Sequence, residues 1–148
     1  IRILKKGMKI RMAQLKEYMT QDIVTSHEEE NLQALAQKMA NSEIGFLPIV
    51  ENGNYVGVIT DRDIVVKGLA NNHTKAGDIM TTNIVTGSSD MDVDEAVKLM
   101  QKHSIYRLLI VDDNTIQGVV TLGDLGVENA EELIGNTVSE VSKGKENN

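Results

Sequence analysis

The sequence of 148 residues contains no cysteine and no tryptophan, and it contains a single proline. Without cysteine, disulfides, thiolate zinc sites and cysteine nucleophiles are excluded, and the composition fits a reducing compartment such as the cytoplasm. Aromatic residues make up only 3% of the chain, so aliphatic residues, Met and Ala must form the core. No run of about 18 apolar residues occurs, and no transmembrane helix is expected.

Acidic residues outnumber basic residues by 22 to 15, so the formal net charge is −7 and the isoelectric point is about 4.9. An acidic surface disfavours nucleic acids and anionic membranes as partners. The three histidines, His27, His73 and His103, lack the spacing of a metal site. The sequence has no Ser/His/Asp spacing and no Walker-type phosphate loop, so we predict that the protein is not an enzyme.

The amino terminus begins with Ile and lacks the apolar stretch of a signal peptide. We expect that part of residues 1–7 remains from cloning or processing. The natural start would then be Met8 or Met12.

An internal repeat organises the rest of the chain. Residues 19–65 match residues 80–126 at a constant offset of 61, with 14 identities among 47 positions. The identical pairs include Met19 and Met80, Met39 and Met100, Gly57 and Gly118, Thr60 and Thr121, and Asp63 and Asp124.

Each copy contains apolar residues at the i, i+3, i+4 and i+7 spacing of an amphipathic helix. They are Leu32, Leu35, Ala36 and Met39 in copy one, and Val93, Ala96, Val97 and Met100 in copy two. An extended segment is predicted before this helix, with a two-stranded hairpin and a second helix after it. In copy one, the predicted extended segment is 23–25, the two strands are 46–50 and 55–60, and the second helix is 61–69. In copy two, the two strands are 108–111 and 115–121, and the second helix is 122–127.

The predicted fold class is therefore α+β, with two βαββα repeats packed sheet to sheet about a pseudo-two-fold axis. One repeat alone buries too little surface to be stable, so we expect the two to share one core, with helices outside. The predicted domain plan begins with a segment 1–16, and a short helix is expected within 9–18. Repeat one follows over 17–70, a linker over 71–77 and repeat two over 78–127. The chain would end with a helix over 128–141 and a disordered tail over 142–148.

One short pattern closes both copies, namely Gly, two apolar residues, Thr, any two residues and Asp. It runs from Gly57 to Asp63 and from Gly118 to Asp124. Thr with Asp three residues later is a helix capping pattern, which is a purely structural interpretation. A strand-to-helix junction also exposes backbone N–H groups that suit a phosphate, and a carboxylate can accept the cis-diol of a ribose. The two interpretations are compatible.

The repeat pair, the strand Leu47–Val50 and the two Gly-to-Asp endings resemble tandem cystathionine β-synthase (CBS) domains, also called Bateman modules. The resemblance covers about residues 17–127 and is closest to small bacterial stand-alone CBS pairs. It implies two clefts that hold adenosine compounds. The expected ligand is AMP, ADP or ATP, with NAD(H) and S-adenosylmethionine as further candidates, and no cofactor is required.

In the first site, the resemblance implies that Asp63 binds the ribose hydroxyls and that Thr60 faces the 5′ side. The backbone of Ile23 and Val24 would meet the adenine edge, and Gly45 and Phe46 would flank the ring. Positive charge would come from Arg62 and from Arg107, which in this family often reaches the phosphate. We therefore rank this site first for a phosphorylated ligand. Arg107 as a surface ion-pair partner and Phe46 as a core residue remain alternatives.

In the second site, the same resemblance implies a ribose contact at Asp124 but no evident phosphate partner. Gly123 stands where copy one has Arg62, and Phe46 stands where copy two has Arg107. The remaining residues of this site would be Ile84, Val85, Tyr106 and Thr121.

The function that the resemblance implies is regulatory nucleotide sensing, with output through an effector protein or through self-association. A homodimer is expected, and segments 9–18 and 128–141 are candidates to extend its interface. The alternative is a structural or dimerisation module that has no physiological ligand.

Overall fold

A computed structural model describes the backbone of residues 3–6 and 9–126 and the side chains of residues 13–126. The helix predicted over 128–141, the tail over 142–148 and Val127 lie outside the described residues.

The described chain begins with an antiparallel hairpin. Strand β1 (Ile3–Lys6) pairs with β2 (Lys9–Met12), and Ile3 lies opposite Met12. The helix predicted within 9–18 is therefore wrong, since only a 3-10 turn at Leu15–Glu17 falls there. Residues 9–12 alternate polar and apolar side chains, which is the period of a strand.

The first helix of copy one, α1 (Leu32–Ser42), spans the predicted apolar positions. Asn31 caps it, because its Oδ1 accepts a hydrogen bond from Ala34 N at 2.8 Å. Leu32, Leu35 and Met39 are buried as expected. Ala36 is exposed, so the prediction that it belongs to the apolar face is wrong.

A hairpin follows, made of β3 (Phe46–Glu51) and β4 (Asn54–Thr60). Its two turn residues, Asn52 and Gly53, have φ of 53° and 80°. Positive φ at both positions is the geometry that two-residue hairpin loops favour, and it explains the Asn-Gly sequence.

The second helix of copy one forms as predicted, but its geometry changes along its length. It starts as α2 (Asp61–Asp63), continues as a π-helix over Ile64–Gly68 and ends as a 3-10 turn over Leu69–Asn71. A Cβ on Gly68 would lie 2.5 Å from Leu32 Cδ1, so this glycine allows the helix to approach α1 closely.

Copy two also contains an amphipathic helix followed by a two-stranded hairpin, but no regular second helix within the described residues. Its elements are α3 (Ala76–Ile79), β5 (Thr86–Gly87), α4 (Val93–His103), β6 (Arg107–Asp112) and β7 (Thr115–Thr121). Strand β5 pairs with β6 in parallel, and β7 lies on the other side of β6. The start of α3 falls inside the segment predicted as a linker.

The helix predicted over 122–127 is wrong for its described part. Residues 122–126 form hydrogen-bonded turns, in which Gly126 N donates to the Gly123 carbonyl at 2.9 Å. Gly126 has a φ of 74°. Two glycines within five residues lower the helix propensity, which explains the early end.

The chain divides into two compact units that do not coincide with the two sequence copies. The repeat-1 unit contains Asp22–Ile84 and Asp113–Ile116. The repeat-2 unit contains the described residues up to Gln21, Val85–Asp112 and residues 117–126. Each unit therefore includes the segment that leads into the other copy. We call residues 13–21 and 74–82 the exchanged segments.

Backbone hydrogen bonds join the exchanged segments to their units at equivalent positions. Leu15 N donates to the Met91 carbonyl at 2.9 Å, and Ala76 N donates to the Glu30 carbonyl at 2.8 Å. Thr20 bridges Val119, just as Thr81 bridges Val58. Each of these donors and acceptors is shifted by the repeat offset of 61, so the exchange is reciprocal.

Most of the buried apolar residues of the described chain fall into two clusters, one in each unit. In the repeat-1 unit they are Leu32, Leu35, Met39, Leu47, Ile49, Ile59, Ile64, Ala76 and Ile79. In the repeat-2 unit they are Ala13, Leu15, Val93, Ala96, Met100, Leu108, Ile110, Val120, Leu122 and Leu125. Both clusters include residues of an exchanged segment, so neither copy completes its core alone. The α+β class is confirmed.

Candidate functional site

The Thr and Asp of the repeated pattern form a capping box in both copies. In copy one, Asp63 N donates to Thr60 Oγ1 at 3.1 Å and Thr60 N donates to Asp63 Oδ2 at 2.9 Å. In copy two, the corresponding distances between Thr121 and Asp124 are 3.0 and 2.9 Å. The structural interpretation of the pattern is therefore correct in both copies.

The capping box does not use every polar atom of these side chains. Asp63 accepts the capping bond through Oδ2 alone, which leaves the second oxygen, Oδ1, outside the box. The Thr60 hydroxyl accepts one bond in the box and keeps its hydrogen to donate. A ribose diol could therefore bind at Oδ1 without breaking the cap.

The backbone N–H groups of the first turn in copy one are not free for a phosphate, contrary to the prediction. Asp61 N donates to the Gly45 carbonyl at 2.9 Å, and Arg62 N donates to Asp61 Oδ1 at 2.8 Å. Asp63 N is bonded within the capping box. The sequence pattern could not show this, because Gly45 reaches the turn through tertiary structure. An anion at this junction would need side-chain partners.

The residues that the resemblance placed around the ring do gather at this junction. Phe46 lies opposite Thr60 in the register of β3 and β4. A Cβ on Gly45 would lie 3.3 Å from Asp61 Oδ2. Gly45, Phe46, Thr60 and Asp63 therefore form one local group in the repeat-1 unit, joined by Asp61, which the sequence interpretation missed.

Ile23 and Val24 run toward β3 without forming a regular strand. The ladder contains a single bridge, in which Ser26 N donates to the Pro48 carbonyl at 3.0 Å and the Ser26 carbonyl accepts from Val50 N at 2.8 Å. Val24 keeps 37% of its surface exposed.

Lys38 fixes this segment from helix α1, and sequence reasoning did not identify it. Its Nζ lies 3.2 Å from both the Thr25 carbonyl and Ser26 Oγ, and 3.3 Å from Glu30 Oε1. The equivalent residue of copy two is Leu99. Only copy one therefore has a charged side chain at this position, which links this segment to helix α1.

Lys67 is a second residue that sequence reasoning missed. Its Nζ lies 3.3 Å from Asp63 Oδ1 and donates to Thr81 Oγ1 at 3.0 Å. The signal was present in the sequence, since Lys67 follows Asp63 by four residues and such pairs meet on one helix face. The carboxylate expected to bind a ribose therefore has an ammonium partner.

The glycines of the pattern are explained by the exchanged segments. A Cβ on Gly57 would lie 3.0 Å from both Met80 Sδ and the Thr81 carbonyl. A Cβ on Gly118 would lie only 2.7 Å from the Thr20 carbonyl. Each exchanged segment therefore crosses its strand at the one residue that has no side chain.

Two residues predicted for the second site, Asp124 and Tyr106, are more exposed than Asp63 and Gly45, their equivalents in copy one. Asp124 is exposed, and Tyr106 exposes 46% of its surface while its carbonyl accepts from Leu122 N at 3.0 Å. Tyr106, Thr121, Asp124 and Val85 belong to the repeat-2 unit, whereas Ile84 belongs to the repeat-1 unit.

Arg107 begins β6 in the repeat-2 unit, and every other residue of the predicted first site lies in the repeat-1 unit. Its role toward a phosphate stays a prediction.

Among the described residues, no group of three His, Cys, Asp or Glu side chains could hold a metal ion. None of the helices in this part of the chain has the length and apolar character needed to cross a membrane.

With this geometry established, comparison with known proteins identifies the family. A family model for the CBS domain matches residues 15–68 and 76–125. The chain therefore belongs to the CBS domain family, as a tandem pair, and the resemblance seen in the sequence is confirmed.

Individual proteins agree. The CBS domain-containing protein YhcV of Bacillus subtilis is 35% identical over 135 residues, which span 88% of this chain and 96% of that protein. The CBS domain pair of protein MJ0100, in complex with 5-methylthioadenosine and S-adenosyl-L-methionine, is 31% identical with a TM-score of 0.68. The match covers 85% of this chain and 98% of that one. CBSX2 in complex with AMP shares the fold, at 20% identity and a TM-score of 0.68 over 76% of this chain and 93% of its own.

Proposed function

We propose that this chain is a regulatory module that binds an adenosine-containing ligand at the Asp63 junction. The observation that carries the proposal is the state of the Asp63 carboxylate. One oxygen is held by the cap, and the other lies next to Lys67 and remains able to accept a hydrogen bond from a hydroxyl group. The adenosyl ligands of the MJ0100 pair, a relative of similar length, support adenosine as the ligand class.

Charge favours a phosphorylated ligand at this junction. Arg62 and Lys67 carry positive charge beside Asp61 and Asp63, so the local charges cancel. At the Asp124 junction, Gly123 and Glu128 occupy the positions equivalent to Arg62 and Lys67, so the sequence supplies no positive charge at these two positions. An anion is therefore repelled less at Asp63 than at Asp124. We rank AMP, ADP and ATP first, followed by NAD(H) and S-adenosylmethionine.

The proposed output is regulation through an effector protein or through self-association, and not catalysis. A homodimer is supported by an apolar patch on the second helix of copy one. Val65, Val66 and Leu69 expose 57%, 50% and 66% of their surfaces. Exposed aliphatic residues that lie together favour a protein contact. We expect Leu69→Lys to shift the protein from dimer to monomer in light scattering, and an unchanged mass would exclude this patch. A cytoplasmic location is proposed from the lack of cysteine.

Calorimetric titration tests the proposal, with AMP, ATP, NADH and S-adenosylmethionine added separately to protein from which bound ligand has been removed by unfolding and refolding. We expect at least one ligand to bind wild type and not the double variant Asp63→Asn/Asp124→Asn. Asn keeps a capping acceptor, so the fold should survive. If no adenosyl ligand binds the wild type, the sensor function is wrong and the alternative, a structural dimerisation module, stands.

A further inference from the structure

We propose that Lys67 sets the charge preference of the Asp63 site, so that it accepts anionic adenosine ligands over neutral ones. The inference rests on the proposed function and adds a specificity-determining residue to it. Lys67 belongs to no part of the repeated pattern, because the equivalent position of copy two is Glu128.

The geometry places the ammonium group of Lys67 at the carboxylate and not out in solvent. Its Nζ lies 3.3 Å from Asp63 Oδ1, and a hydrogen bond of 3.0 Å to Thr81 Oγ1 holds it from the other side. Thr81 is itself fixed to β4 by two backbone bonds with Val58, of 3.0 and 2.9 Å. The lysine is therefore anchored at two points, although 47% of its side chain remains exposed.

This placement changes what the Asp63 carboxylate presents to a ligand. The Asp63 side chain is only 15% exposed, so water screens its charge poorly. Without a partner, a carboxylate that accepts the ribose hydroxyls would repel a phosphate on the same ribose. With Lys67 beside it, the pair is neutral and the carboxylate can still accept a hydrogen bond. A ligand without phosphate gains nothing from this compensation.

Two other charges lie on the same turn and must be distinguished from Lys67. Arg62 adds positive charge, and Asp61 adds negative charge close to Gly45. Among the described residues, Lys67 forms an ion pair with the Asp63 carboxylate, whereas Arg62 and Asp61 do not contact it. Arg62→Gln therefore serves as the matched control, since it removes one positive charge from the same helix.

The test compares two ligands that share adenosine and differ in charge, AMP and 5-methylthioadenosine, by calorimetry on the full chain. Lys67→Met should weaken AMP about tenfold and leave 5-methylthioadenosine within about twofold. Lys67→Arg should restore AMP binding, and Arg62→Gln should have a smaller effect than Lys67→Met. Thermal melting of each variant checks that the fold is intact.

The outcomes separate the two levels of the argument. If Lys67→Met weakens both ligands equally, the lysine supports the fold of the junction and sets no charge preference. If neither affinity changes, Lys67 has no role in binding. If wild type binds none of the adenosine ligands, ATP, NADH and S-adenosylmethionine included, the proposed function fails and this inference fails with it. If wild type binds both ligands, Asp63→Asn abolishes binding and Lys67→Met leaves the preference for AMP over 5-methylthioadenosine unchanged, the function stands and the Lys67 inference is wrong.

Discussion

The strand-to-helix junctions of the two copies have the same capping box and different surroundings. The two hydrogen bonds of the box at Asp63 and their equivalents at Asp124 differ in length by at most 0.1 Å. Copy one has the basic residues Arg62 and Lys67 around the box. Copy two has Gly123 in place of Arg62, and its chain continues in hydrogen-bonded turns and not in a helix. The repeat thus preserves the backbone of the junction, while single side chains around it differ in charge.

The comparison extends to the exchanged segments. Each unit completes its buried cluster with the segment that leads into the other copy, through equivalent hydrogen bonds. The glycine of each pattern is the point where that segment crosses. The pattern therefore serves two purposes, since its glycine accommodates the exchanged segment and its Thr and Asp build the junction.

The largest expected effect concerns these two glycines. Gly118→Ala should lower the free energy of unfolding by about 2–3 kcal/mol, because its Cβ would meet a backbone oxygen at 2.7 Å. Gly57→Ala should cost about 1 kcal/mol, since its nearest contacts are at 3.0 Å and one is a flexible Met side chain. Urea unfolding measures both.

The control is Gly123→Ala, whose Cβ would meet only Thr121 Oγ1 at 3.6 Å. It should change stability by about 0.5 kcal/mol or less. Equal losses at all three glycines would show that the exchanged segments do not explain the pattern.

A smaller effect concerns Arg107, which tests whether the copies contribute unequally to phosphate binding. Arg107→Gln should weaken AMP about tenfold, because a charge-assisted hydrogen bond to phosphate would be lost. Binding of 5-methylthioadenosine should stay unchanged in the same calorimetric titration. Unchanged AMP affinity would instead support Arg107 as a surface ion-pair partner, the alternative left by the sequence.

The smallest effect concerns the turns before α1 and α4, where a carboxylate of the hairpin accepts a backbone bond in each copy. Glu28 N donates to Glu51 at 2.7 Å, and Ser89 N donates to Asp112 at 3.0 Å. Only Asp112 also accepts a hydroxyl bond, from Ser89 Oγ at 2.5 Å. These Ser89 bonds lower the pKa of Asp112 below its ordinary value of 3.8.

Because the folded-state pKa of Asp112 is depressed, its stabilisation is present above pH 3.8 and is lost as the pH falls through the lower folded value. Ser89→Ala should therefore cost about 0.5 kcal/mol at neutral pH, and the difference from wild type should shrink on acidification. Urea unfolding at pH 7 and at pH 3 measures this. A difference that is constant with pH would mean that the serine acts only through packing.

The parts of the fold that depend on local pattern could be predicted from the sequence. Helices α1 and α4 follow from apolar spacing, and both hairpins follow from turn residues that accept positive φ, including Asp113 and Asn114. The exchange could not be predicted, because a repeat shows that two segments are alike and not which copy each one packs on. The helix predicted over residues 122–126 is wrong, because the prediction followed the similarity to copy one and gave too little weight to the low helix propensity of two glycines.

The candidate site divides in the same way. The Thr60–Asp63 box follows from a spacing of three residues, and Lys67 could have been found from a spacing of four. The Gly45 carbonyl, which accepts the hydrogen bond of the first N–H group of α2, could not be predicted, because its position depends on where β3 lies. Sequence reasoning therefore identified the groups of the junction but overestimated its free donors.

The most direct test of the central claim is a pair of AMP titrations on Asp63→Asn and Asp124→Asn. Both variants keep a capping acceptor, so they differ only in which junction loses its carboxylate charge. The account predicts that Asp63→Asn abolishes AMP binding and that Asp124→Asn leaves it nearly at the wild-type affinity. An equal loss in both variants, or a greater loss for Asp124→Asn, would contradict the claim that the charges around the two junctions make one of them the site for a phosphorylated ligand.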